Sequence, residues 1–125
     1  MQRTITVTLP AKGDFVHILR SVVASIAARL DFSVDAIDDL RLLVDEACGQ
    51  LLSIPGAEVL TLRLDPSPDS LEMLLSSNGV YSWPPAGQNA LSWEILSALS
   101  DTSTFEQLDG EPTIRVAKRV HSMPR

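Results

Sequence analysis

The sequence predicts an α+β fold: a two-layer sandwich in which helices pack on one face of a mostly antiparallel sheet. Three observations carry that expectation. Residues 4–9, Thr-Ile-Thr-Val-Thr-Leu, alternate strictly, as a half-buried strand does. Two long stretches then repeat apolar residues at three- and four-residue steps, as helices do. The second half returns to alternation in two pairs of short segments joined by turn formers. The 125 residues suit one domain, 1–125, with one core and neither repeat nor linker.

In the first strand Ile5, Val7 and Leu9 face a core, and Pro10 with Ala11-Lys12-Gly13 ends it. Asp14 is the expected cap of a helix whose apolar positions are Phe15, Ile18, Leu19, Val22, Val23, Ile26 and Leu30, with Arg20 and Arg29 outside. Asp31-Phe32-Ser33 separates it from the next helix, which Ser33 caps. Asp35, Asp38 and Asp39 then place negative charge near the positive end of the helix dipole, a role that needs no catalysis. This second helix repeats Ile37, Leu40, Val44, Ala47, Leu51 and Ile54 and stops at Ser53-Ile54-Pro55-Gly56. Glu46 and Gln50 fall within roughly 40° of each other at the edge of its apolar stripe, beside Asp39 and Leu43. A carboxylate and an amide so placed could line a cleft; polar residues equally flank any amphipathic helix. Gly49 between them costs about 1 kcal/mol relative to alanine, and it either admits a neighbouring backbone or is merely tolerated.

Residues 58–64 and 71–76 read as an antiparallel pair joined by a turn over 65–70. Leu60, Leu62 and Leu64 share one face of the first, and Leu71, Met73 and Leu75 one face of the second. Residues 77–88 form an irregular connection rich in turn formers and aromatics, of a length that is often functional. A shorter helix over 90–100 turns Leu91, Ile95, Ala98 and Leu99 inward. Residues 105–108, the Asp109-Gly110 turn and 113–120 make a closing hairpin, and 121–125 a frayed tail.

A formal net charge of −6 argues against non-specific binding to nucleic acid or to anionic membranes. Arg115, Lys118, Arg119 and Arg125 nevertheless cluster near the end, a basic patch that could meet an acidic protein or a phosphate, or simply be solvated. One cysteine, Cys48, near the apolar side of the second helix, cannot form an intramolecular disulfide, which points to the cytoplasm. His17 and His121 have no ligand-like spacing, so no His/Cys metal site is expected. No signal peptide is expected before the first strand, and no apolar run is long enough to cross a bilayer.

The phrase Leu43-Val44-Asp45-Glu46-Ala47-Cys48-Gly49-Gln50, in this order of elements, resembles the histidine-kinase-like (GHKL) ATPase superfamily. Within it, the likeness is to the small bacterial anti-sigma factors that are also serine kinases. It covers most of the chain by element order and about ten residues by motif. That family carries Glu-x-x-x-Asn on its second helix. The resemblance implies Glu46 as candidate general base and puts Gln50 where asparagine would ligate a magnesium ion held by ATP. The longer side chain moves the amide oxygen by about 1.5 Å, enough to disturb an octahedral ion. The family's Asp-x-Gly-x-Gly, whose aspartate accepts a hydrogen bond from adenine, corresponds here to Ser77-Asn78-Gly79-Val80-Tyr81, without the aspartate and with one glycine. Its glycine-rich phosphate-holding run corresponds to residues 87–93, Gly-Gln-Asn-Ala-Leu-Ser-Trp, without paired glycines.

The resemblance therefore implies an anti-sigma-factor-like regulator that acts by protein contacts, with binding of Mg-ATP or ADP weak or lost. Its implied partners are a sigma factor and a STAS-domain anti-sigma-factor antagonist. It also implies a homodimer, with no direct nucleic-acid or membrane contact. Two alternatives stand beside it. One is an active serine kinase: Glu46 activates a substrate serine, Gln50 helps hold magnesium, and Ser77, Asn78, Ser92 and the Gly79 amide cradle the phosphates. The other is an adaptor of the same fold with unrelated signalling partners, anchored by Tyr81, Trp83 and Trp93.

Overall fold

Alternation in the strands and helical period between them build one sheet with a helical layer on one side. The computed structural model describes residues 3–80 and 90–120. Its elements are β1 (Ile5–Pro10), α1 (Val16–Arg29), α2 (Val34–Leu52), β2 (Val59–Ser67), β3 (Ser70–Ser77), α3 (Ala90–Leu99), β4 (Thr102–Leu108) and β5 (Glu111–Arg119). All neighbouring strands are antiparallel, in the order β1-β2-β3-β5-β4. Register puts apolar side chains in rows across the helix-covered face. Val7, Leu62, Leu75, Ile114 and Phe105 form one row, and Ile5, Leu64, Met73 and Val116 run alongside it. Leu19, Val23 and Ala27 of α1 and Leu40, Leu43, Val44, Ala47 and Leu51 of α2 complete the core.

The second helix starts where its sequence says: the Ser33 hydroxyl oxygen accepts from the Ala36 amide at 3.1 Å. The closing hairpin turns on Asp109 and Gly110, both at positive φ (53° and 81°), which a two-residue turn between twisted strands requires. Several expectations are corrected. Asp14 does not cap α1; it lies in a 3-10 turn, Gly13–Phe15, with no side-chain cap bond. The centre of α1's stripe is Val16, Leu19, Val23 and Ala27, leaving Ile18, Val22 and Ile26 half-buried on its flank. Strand β2 continues through the expected turn to Ser67, so that only Pro68 and Asp69 connect it to β3. Pro66 is tolerated because the β1 pairing ends at Leu64, and beyond that point this side of β2 is an edge where no N–H is called for. In α3 Leu96 is the buried residue; Leu91 is 69% exposed and Ala98 is also outward. The helix touches the rest along one narrow line, with Trp93 stacked on Phe105 at a 3.9 Å centroid distance.

Two of the basic C-terminal residues, Lys118 and Arg115, lie on opposite faces of the sheet. Lys118 points into the helix-covered face, donating to the Leu99 carbonyl. Arg115 lies on the opposite face, where its Nε and Nη2 donate to Glu106 (2.6 and 3.1 Å) and its Nη1 to Glu72 (3.1 Å). Arg125, Tyr81 and Trp83 lie outside the described residues. Hydrogen bonding from Arg115 holds the Glu106 carboxyl below its usual value of 4.5. The native state thus releases that proton more readily than the unfolded chain, so this contribution to stability is complete above about pH 4.5 and is lost as the pH falls through the native value. Glu106→Gln should flatten the acid limb of stability in urea unfolding between pH 3 and 5, modestly and less so in high salt. An unaltered acid limb would show that the contact contributes nothing.

Candidate functional site

The α2 helix brings the predicted residues together. Its cap and apolar face fix its rotation, and Arg20 of α1 pins it from outside through Asp45. With that rotation set, Glu46 and Gln50 face α3. The Ser92 hydroxyl in the first turn of α3 donates to Glu46 Oε1 at 2.8 Å, and Gln50 Nε2 donates to Ser92 Oγ at 3.1 Å. One serine therefore joins the carboxylate and the amide. Because its proton goes to Glu46, its oxygen receives the amide N–H, which fixes the Gln50 side chain with nitrogen toward Ser92. Gln50 is buried, 5% exposed, rather than at the edge of the stripe. Ser53 closes the end of the helix by donating to the Gln50 backbone carbonyl at 2.6 Å.

These groups line a cleft of about 260 Å3 formed by Asp45, Glu46, Gly49, Gln50, Ser53 and Ser92. No basic side chain of the described residues lines it. Asp45, Gly49 and Ser53 are lining residues that the sequence reading did not single out for a site. Asp45 follows from helix geometry, one step from Glu46, but its partner Arg20 is set only by how α1 lies on α2. The expectation that Gly49 admits a neighbouring backbone is not met, since a Cβ there would meet nothing within 4 Å; the glycine is tolerated rather than required by packing. Its place is the open wall of the cleft. Gly49→Ala should therefore stabilise the protein by about 0.5–1 kcal/mol through helix propensity alone, readable in thermal unfolding; destabilisation would mean that the space is filled.

The other two predicted residues are elsewhere. Asn78 Oδ1 accepts from the amides of Glu58 and Val59 (2.8 and 2.9 Å), so it organises the start of β2. The Gly79 amide donates to Ser77 Oγ at 3.2 Å. Ser77, at the position of the family's adenine-binding aspartate, is buried on the core face opposite Leu60. Cys48 is buried, and burial pushes its thiol up to about 12, which removes it as a nucleophile. Among the described residues no three His, Cys, Asp or Glu side chains gather as a metal site, and no helix is long and apolar enough to cross a membrane.

Comparison with known proteins places this geometry. The anti-sigma-F factor RsbW of Mycobacterium tuberculosis is 32% identical over 102 residues, 79% of this chain and 59% of that protein. The serine-protein kinase RsbW of Bacillus cereus is 32% identical over 79 residues, covering 61% of this chain and 49% of the other. Its counterpart in Halalkalibacterium halodurans is 35% identical over 78 residues, with coverages of 61% and 48%. The chain thus spans about half to three-fifths of the curated relatives it matches. No protein-family model matches it. The fold matches a crystal structure of the RsbU and RsbW domains of a Mycobacterium tuberculosis protein. The TM-score is 0.73 over 98% of this chain and 34% of that one, at 11% identity, a likeness of fold alone. The chain belongs to the family of RsbW-type anti-sigma factors and serine-protein kinases.

Proposed function

We propose that residues 1–125 form a single histidine-kinase-like domain that acts in the cytoplasm as an anti-sigma-factor-like regulator, by binding proteins. Its partners are a sigma factor and a STAS-domain antagonist, it works as a homodimer without touching nucleic acid, and nucleotide binding is weak or lost. The observation that carries this reading is the chemistry of the α2–α3 cleft. Its side chains present carboxylates and acceptor oxygens, no basic side chain of the described residues lines it, and the Ser92 hydroxyl is already bonded to Glu46. A triphosphate would bring further negative charge to a wall whose neighbouring cation, Arg20, is already paired with Asp45. The Gly79 amide, another candidate phosphate donor, is engaged by Ser77 Oγ, and Asn78 is anchored to the start of β2 through its Oδ1.

The relative named a serine-protein kinase keeps a second reading in view. It is favoured by the place of Glu46, a carboxylate on the wall of an open cleft, which is the kind of group that general-base activation of a partner's serine needs. Gln50 would then take the magnesium position. Thermal unfolding with and without millimolar Mg-ADP or Mg-ATP separates the two. Ligand at a hundred times its dissociation constant stabilises by about 2.7 kcal/mol, a shift of several degrees. The regulatory reading expects no shift, together with a complex with a sigma factor in size-exclusion chromatography. A magnesium-dependent shift that Gln50→Ala abolishes would establish the nucleotide site and favour the kinase.

A further inference from the structure

We propose that the α2–α3 cleft is a socket for an arginine side chain presented by a protein partner. This deepens the protein-binding reading and rests on it. The wall is built of acceptors, and their partners leave two of them open to a cation. Asp45 already holds the guanidinium of Arg20, so this side of α2 accommodates that group. Glu46 has no cationic partner among the described residues; its one hydrogen bond is the Ser92 hydroxyl, which leaves most of the carboxylate's lone pairs unused. Gln50 is 5% exposed and spends its amide nitrogen on Ser92, and no donor among the described residues reaches its carbonyl oxygen Oε1. A buried acceptor left unpaired in a native wall asks for a partner.

A guanidinium supplies what both groups lack. It is a planar fork of N–H donors that can reach a carboxylate and an amide oxygen together, and it is weakly hydrated enough to enter a partly closed site. Gly49 carries no Cβ into that space, and the volume of about 260 Å3 is enough for a guanidinium side chain. The net charge of −6 draws a basic partner surface toward the domain.

The test is a 1H–15N NMR titration of the full chain with N-acetyl-arginine amide, run in parallel with N-acetyl-lysine amide and with magnesium chloride alone. The expected result is a saturating perturbation of the Gly49 amide, the Gln50 side-chain NH2 and the Ser92 amide, weakening as salt is added. Glu46→Gln, checked as folded by its own spectrum, should lower the affinity for the arginine probe at least tenfold, and Gly49→Val should block it by filling the space. Absence of perturbation at these groups, equal affinity in Glu46→Gln, tighter binding of the lysine probe, or saturation by magnesium without saturation by arginine would each overturn the socket. Size-exclusion chromatography of the same samples with a sigma factor keeps the two ideas apart. A chain that binds the sigma factor but not the probe retains the regulatory function and loses the socket. A chain that binds the probe but neither sigma factor nor antagonist keeps the socket and loses the regulatory reading.

Discussion

Gly79→Ala will destabilise the protein by about 1–3 kcal/mol, the loss expected when a methyl is forced into a filled space. A Cβ at this position would stand 2.6 Å from Ile54 Cγ2 and 3.1 Å from the Pro55 carbonyl oxygen. Neither neighbour can retreat. Ile54 is buried in the core, and the Pro55 carbonyl is held by the Val80 amide at 2.7 Å. The reason for the glycine is therefore close approach, since the exit of β3 lies flat on the turn between α2 and β2. Urea unfolding with an unchanged m-value would measure the effect, and an alanine variant as stable as the parent would show that the exit of β3 is not packed there. The prediction bears on function because the resemblance puts this glycine in a motif that binds nucleotide. Here its neighbours are an isoleucine side chain and a peptide carbonyl.

Much of the fold was legible because local signals agreed with tertiary demands. The alternation in β1, the Ser33 cap and the Asp109-Gly110 turn each have a mechanism that works within a few residues. The misread positions are those where a neighbour decided. Leu91 and Ala98 fit a helical stripe by spacing, but α3 is held along one line through Leu96, and an apolar residue off that line stays outside. Pro66 looks like a stop, yet a strand may carry proline once its neighbour has ended, and the turn itself is only Pro68 and Asp69. In α1 the side that faces α2 and the sheet selected Ala27 over Ile26.

The candidate site divides in the same way. Glu46 and Gln50 were visible because four residues on a helix make neighbours, and that needs only the period. Their meeting with Ser92 spans 42 and 46 residues, and no local pattern encodes it. It depends on where α3 is set down. Asn78 and Gly79 were assigned by position in a motif, while their hydrogen-bond partners come from the neighbouring strand and from their own turn. Residues 81–89, between those two halves of the motif, lie outside the described residues.

Lys118 sets α3 down, and removing its charge will loosen that helix. A lysine on the core face of β5, opposite Leu71, breaks the apolar alternation of Ile114 and Val116. Its side chain is 11% exposed; the ammonium donates to the Leu99 carbonyl at 2.8 Å and lies 3.8 Å from Asp39 Oδ2. Leu99 ends α3, where the helix dipole is negative, and Asp39 belongs to α2, so one cation ties the sheet to both helices. Lys118→Met keeps the apolar stem but takes away the donor. The expected loss is about 1.5–3 kcal/mol, the range for hydrogen bonds involving a charged group, and Lys118→Ala should lose more because the stem also packs. The loss should appear first in α3, where Leu96 is the fully buried side chain among the described ones, as faster amide exchange than in α2. Because Ser92 rides on the opposite end of α3, its hydrogen bonds to Glu46 and Gln50 should weaken together with that protection. If Lys118→Met left both stability and α3 exchange unchanged, Leu96 and the Trp93–Phe105 stack would be holding the helix by themselves.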